Sequence, residues 1–171
     1  MASTIIGLTV NGVAQEFIAK ASTTLLSALR ETLGMTGAKR GCAQGSCGTC
    51  TVLLDGEPVI SCLIPVVTID GSAVTTVEGI ATDGVLDEVQ QAFLDGFATQ
   101  CGFCTPGMIM AAEALLDRNP APTRDDVNEA ISGNVCRCTG YEPIVRAILD
   151  AAQRRLATAR SGTGRFEVGA T

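Results

Sequence analysis

The stretch RGCAQGSCGTC, residues 40–50, carries Cys42, Cys47 and Cys50 within nine positions, with Gly41, Gly45 and Gly48 beside and between them. A loop so rich in thiols and so poor in side-chain bulk serves one of three chemistries: disulfides, zinc or an iron–sulfur cluster. Histidine is absent from all 171 residues. That removes Cys/His zinc fingers, the Rieske variant of a two-iron centre, haem bound through His and His-dependent acid–base catalysis. The N-terminus, MASTIIGLTV, has neither the basic segment nor the long apolar run of a signal peptide. No stretch is apolar over the roughly 18 residues of a membrane span. The expected compartment is the cytoplasm, where eight cysteines serve as metal ligands more readily than as disulfides.

Cys62 follows Cys50 after eleven residues and completes Cys42-x4-Cys47-x2-Cys50…Cys62. This is the plant-type spacing for a two-iron cluster. Two irons bridged by two sulfides need two thiolates each, from a loop that wraps most of the cluster. Its backbone N–H groups should point at the sulfurs, because such bonds stabilise the more negative, reduced cluster. Gly41, Gly45 and Gly48 permit the close approach and any positive φ that the wrap requires. Zinc thiolate sites usually come as paired CxxC knuckles, which a lone x4/x2 triplet does not resemble. The second half holds another four thiols, Cys101-x2-Cys104 and, thirty-one residues on, Cys136-x-Cys138. By spacing alone this set fits either zinc or iron–sulfur. Each pair sits at a helix end, a natural place to stabilise a charged centre.

The two halves differ in pattern. From Thr4 to about Val77, short apolar runs are broken by turn signals: Asn11-Gly12 between TIIGLTV and AQEFIAK, Asp55-Gly56 within CTVLLDGEPVISCL, and Asp70-Gly71 before a further strand. Between the first two hairpins, TTLLSALRETLG predicts a helix with Leu25, Leu26, Leu29 and Leu33 on one face and Gly34 as its stop. Four or five strands crossed by one helix form an α+β sheet domain. From about Asp83 the helical period dominates. GVLDEVQQAFLDGF predicts a helix with Val85, Leu86, Val89, Phe93 and Phe97 on one side. Three more follow: TPGMIMAAEALLDR with Pro106 near its start, RDDVNEAISGN capped by Thr123 and ended by Gly133, and PIVRAILDAAQRRL opened by Pro143. The expected domains are residues 1–80, residues 81–157 as a four-helix unit, and a tail of residues 158–171 that is frayed or reaches a partner.

Hydrophobic residues make up 46% of the chain, enough for a buried core, and the net charge is −6. The acidic balance argues against nucleic acid, whose phosphates select basic surfaces.

Together GCAQGSCGTC, QCGFCTPGM and GNVCRCTGY resemble the small iron–sulfur subunit of the xanthine oxidase family of molybdenum hydroxylases, from about Thr4 to Leu156. The resemblance implies a β-grasp, ferredoxin-like domain followed by a helical domain that binds a second 2Fe-2S cluster. It implies partners as well: a large subunit with a molybdenum–pterin cofactor, whose nucleotide form (cytosine dinucleotide among them) stays open, and a medium subunit with FAD. Electrons would pass from molybdenum to the helical-domain cluster, then to the ferredoxin-type cluster, then usually to FAD. Gln100 and Cys138 match family positions whose polar atoms approach the pterin. Since the sequence contains no flavin or molybdenum domain, those domains are expected on separate subunits. The chain itself shows no substrate site, and the substrate is not legible in it. A free-standing ferredoxin-like electron carrier is the competing reading, which leaves the helical half without a role. A zinc-stapled sensor is a third.

Overall fold

A computed structural model describes residues 3–160. The N-terminal half is a five-stranded sheet: β1 (Ser3–Val10), β2 (Val13–Lys20), β3 (Thr51–Leu54), β4 (Glu57–Ile60) and β5 (Ala73–Thr75), in the order β2-β1-β5-β3-β4. β1 and β5 run parallel, and every other pairing is antiparallel. This mixed order with a helix laid across it is the β-grasp arrangement.

Both predicted hairpins form. Asn11 and Gly12 (φ +52° and +78°) and Asp55 and Gly56 (φ +50° and +86°) each supply the consecutive positive φ values that a two-residue turn needs to match strand twist. Ile6, Leu8 and Val10 point inward from β1 and Phe17 and Ala19 from β2, the period-2 pattern of a half-buried sheet. The crossing helix is irregular. A short α1 (Leu25–Ser27), capped by Thr24, continues as a π-helical turn over Ala28–Thr32, closed by Leu33 N–H to Ala28 O at 3.0 Å. Leu25, Leu26 and Leu29 are buried against the sheet. Arg30 donates to the carbonyls of Thr36 and Ala38, both at 2.8 Å, tying the widened turn to the chain that leads into the cysteine loop.

The C-terminal half contains α2 (Glu88–Asp95), α3 (Thr105–Arg118), α4 (Arg124–Ala130) and α5 (Glu142–Arg160). Thr123 caps α4 as expected. The first helix of this half is shorter than its periodicity predicts. Asp87 forms a reciprocal capping box with Gln90, so α2 starts only at Glu88 and ends at Asp95. Val85, Leu86 and Phe97 therefore lie outside it and are exposed, whereas Val89 and Phe93 are buried. α4 stops at Ala130, before the expected Gly133. α5 runs three residues into the expected tail, whose residues 161–171 lie outside the described residues.

β3 is where the halves meet. Val52 faces the sheet's own core, while Leu53, on the opposite face, packs against Met110 and Ala114 of α3. α3 is thereby covered on nearly all sides, which its run of small residues (Gly107, Ala111, Ala112, Ala114) permits. Among the helices, Arg155 of α5 reaches Asp87 at 2.8 Å and Glu113 of α3 at 2.6 Å. Burial, and then the adjacent Asp87, push the Glu113 carboxyl up to about 8. Burial opposes ionisation of Asp87 too, but hydrogen bonds from Glu113, the Gln90 N–H and Arg155 hold it below its usual value. At neutral pH the cluster is thus one carboxylate, one guanidinium and one neutral acid that donates to that carboxylate.

Because folding raises the Glu113 pKa from its ordinary 4.5 to about 8, its contribution is full below pH 4.5 and is lost as pH rises toward 8. Between pH 6 and pH 8.5 the parent chain is expected to lose on the order of 2 kcal/mol in denaturant unfolding. Glu113→Gln should flatten that decline.

Candidate metal centres

The first four thiols are positioned by the β3–β4 hairpin and the loop before it. Thr51 pairs with Ile60 at the open end of the ladder, so Cys50 and Cys62 flank that same end. Ser61 fixes them, its hydroxyl donating to Cys50 O at 2.7 Å. Cys50 and Cys62 are buried and their thiols meet. Cys42 and Cys47 form the other pair, thiol to thiol, nearer solvent. The loop aims amides at sulfur as a cage should: Gln44 and Ser46 N–H groups lie 3.5 and 3.4 Å from Cys42 Sγ. The Gln44 N–H, then the Ser46 side chain, lower the Cys42 thiol to about 6. Burial, then the Cys50 thiol, raise Cys62, and the Gly45 N–H partly offsets this. A Cβ on Gly41 would stand 2.8 Å from Cys47 Sγ, and one on Gly45 (φ +84°) 2.5 Å from Leu63 Cδ1.

The second set gathers where α3 begins and the chain leaves α4. Cys104 occupies the N-cap position of α3, and its thiol meets that of Cys136; both residues are buried. Cys101 and Cys138 are exposed, with sulfurs 3.6 Å apart. Burial, then the Cys136 thiol, push Cys104 up to about 12. At Cys136 burial works in the same direction, but the Thr139 hydroxyl and the N–H groups of Thr139 and Cys138 outweigh it and bring the thiol to about 7. Tyr141, the single tyrosine, accepts from the Cys136 N–H at 2.9 Å and holds the turn in place.

Each domain thus presents two neighbouring pairs of thiols, one pair buried and one closer to solvent. Among the described residues no three Cys, Asp or Glu side chains gather as a single metal ion requires. Two pairs per site match the donor demand of a cluster with two irons, each taking two thiolates, better than that of one tetrahedral zinc. The donor chemistry therefore fits a 2Fe-2S cluster in both sets. Gln100 is exposed on the segment leading into Cys101.

Sequence reasoning missed the residues that join the sets. Asn134 Nδ2 donates to Gly48 O at 2.9 Å, and Val135 N–H to Cys47 O at 2.9 Å. A Cβ on Gly48 (φ +69°) would lie 2.4 Å from Gly133 O, and one on Gly107 2.3 Å from Gly48 O. The only sequence signal was adjacency: Asn134 and Val135 immediately precede Cys136, but nothing local shows that they reach the other loop.

A β-grasp sheet and a helical unit, each with paired thiols at one rim, define an iron–sulfur electron-transfer protein with two centres. Residues 8–68 match the model of the 2Fe-2S iron–sulfur cluster binding domain, and residues 76–149 that of a second 2Fe-2S binding domain. The nicotinate dehydrogenase small FeS subunit of Eubacterium barkeri is 47% identical over 149 residues, 87% of this chain and 95% of that one. The nicotine 6-hydroxylase small subunit of Paenarthrobacter nicotinovorans is 49% identical over 146 residues, 85% of this chain and 88% of that one. Among solved structures, a chain of quinoline 2-oxidoreductase from Pseudomonas putida 86 superposes with a TM-score of 0.87 at 46% identity, covering 94% of this chain and 98% of that one. The chain belongs to the small iron–sulfur subunits of the xanthine oxidase family of molybdenum hydroxylases, the electron-transfer members of multi-subunit oxidoreductases.

Gly48→Ala combines a disfavoured positive φ with a backbone clash across the seam. It is expected to cost more than about 2 kcal/mol in thermal unfolding, and to perturb the spectra of both centres rather than one.

Proposed function

We propose that Cys42, Cys47, Cys50 and Cys62 hold one 2Fe-2S cluster and that Cys101, Cys104, Cys136 and Cys138 hold a second. The observation that supports this is the grouping of eight thiols into four touching pairs, two in each domain. When bound, such clusters supply one-electron chemistry, here between the molybdenum–pterin centre of a large subunit and FAD in a medium subunit or another acceptor. The work of this chain is to hold and tune them. Gln44 and Ser46 N–H groups favour negative charge at the Cys42 sulfur. Thr49 and Thr139 place hydroxyls 3.3 and 3.2 Å from the Cys47 and Cys136 sulfurs. The Val135-to-Cys47 hydrogen bond and the Asn134 contact keep the two sets at a constant separation, which an electron relay requires.

The exposed pair Cys101 and Cys138, with Gln100 beside it, marks the end that would face the pterin. A Gln amide offers both donors and an acceptor to a heterocyclic edge. Residues 1–80 and 81–157 serve as the two centre-bearing domains. Among the described residues no helix is long and apolar enough to cross a membrane. Eight thiols kept as ligands point to the reducing cytoplasm. Substrate selection belongs to the large subunit.

The anaerobically isolated chain should contain about four irons and about four acid-labile sulfides. Reductive titration followed by electron paramagnetic resonance should show two distinct signals. One signal together with bound zinc would refute the two-cluster assignment. A chain that purifies alone, without molybdenum or flavin in any complex, would favour the free carrier instead. Cys47→Ser should impair only the ferredoxin-type signal, and Cys104→Ser only that of the helical domain.

A further inference from the structure

The C-terminus of α2 closes with two bonds: Ala98 N–H to Phe93 O at 2.9 Å and Phe97 N–H to Leu94 O at 3.2 Å. This is a Schellman ending, and it requires left-handed backbone at the residue just past the helix cap. That residue is Phe97, at φ +49°. Glycine is the usual occupant, because a Cβ is penalised there. Gly96, next to it at φ −83°, makes no use of such freedom.

Little of the phenyl ring is buried on folding to offset this. At 83% exposure Phe97 is the most exposed large hydrophobic side chain among the described residues. A strained backbone displaying an unburied aromatic ring is unfavourable for this chain by itself. It becomes favourable only where a second surface covers the ring. The location indicates which surface. Phe97 lies four residues before Cys101, on the segment that carries Gln100 toward the exposed pair Cys101 and Cys138. Leu94, Phe103 and Val135, on segments bounding the same thiol set, are each about half exposed. Asp95, two residues before Phe97, already pairs with Arg154 of α5 at 2.6 Å and makes little demand on a partner.

We propose that Phe97 is an anchor whose ring enters an apolar pocket of the large, molybdenum-cofactor-bearing subunit as that subunit closes over the Gln100–Cys101–Cys138 end. The proposal rests on the reading of this chain as one subunit of such a complex. Aromatic side chains at the centre of an interface carry a disproportionate share of affinity, and one pre-positioned by its backbone loses little entropy on docking.

The test uses the full cluster-loaded chain and the large subunit of the same complex. Phe97→Gly removes both ring and strain, so it should raise the Tm of the isolated chain by about 2 °C or more, leave both cluster signals unchanged, and weaken association with the large subunit about 30-fold or more. Phe97→Tyr, which keeps the ring, should assemble like the parent. If the parent binds the large subunit and Phe97→Gly binds it equally well, the anchor is refuted while the subunit reading stands. If Phe97→Gly lowers the Tm of the isolated chain, Phe97 serves the fold and the anchor is likewise refuted. If the parent chain does not bind the large subunit, the subunit reading and the anchor fall together.

Discussion

Two loops from separate domains meet backbone to backbone, and the rest of the molecule is arranged around that meeting. The carbonyls of Cys47 and Gly48 accept from Val135 N–H and Asn134 Nδ2, and Gly107 and Gly48 have no Cβ to hold the strands of chain apart. Buried carbonyls need partners: Cys47 O takes Val135 N–H from the other domain, and Gly48 O takes Asn134 Nδ2 from it in addition to the N–H and hydroxyl of its own Thr51. At Cys47, satisfying the backbone and fixing the distance between thiol sets are therefore the same act. The seam between Leu53 and Met110 and Ala114 adds apolar burial beside it, and the interface has little freedom to hinge.

The first turn of α3 does two jobs for this reason. Cys104 at its start belongs to one thiol set, while Gly107, three residues later, lies against the loop of the other. One helix end thus bears on both centres. The opposite end of the helical domain is stabilised differently, by the buried Asp87–Glu113–Arg155 cluster that ties α2, α3 and α5 together. Among the described residues the buried acidic side chains, Asp87 and Glu113, are both there rather than among the thiols. Around the sulfurs the tuning groups are neutral N–H and hydroxyl donors.

Much of the local structure is legible in the sequence. Asn11-Gly12 and Asp55-Gly56 announce their turns because few residue pairs tolerate two consecutive positive φ values. Thr123 announces a helix start because its hydroxyl can accept from the N–H three residues on. The periodicity misled around α2, where Val85, Leu86 and Phe97 continue an apolar stripe that the Asp87 capping box and the turn at Phe97 cut short. Hydrogen bonds that end a helix override the period of its side chains. The π-helical turn after Ser27 was equally invisible, since a widened turn and a regular one bury the same leucines.

The count, type and spacing of the sulfur ligands and the absence of histidine are written in the chain itself, and the turns and caps follow from residues a few positions apart. Which thiols pair, which pair faces solvent, and how Asn134 and Val135 clasp the loop at Cys47 and Gly48 were decided only by the tertiary structure. The clasp joins positions more than eighty residues apart, and the helical-domain thiol pairs join positions more than thirty apart; no local preference for turn, cap or spacing encodes contacts made only once the chain has folded.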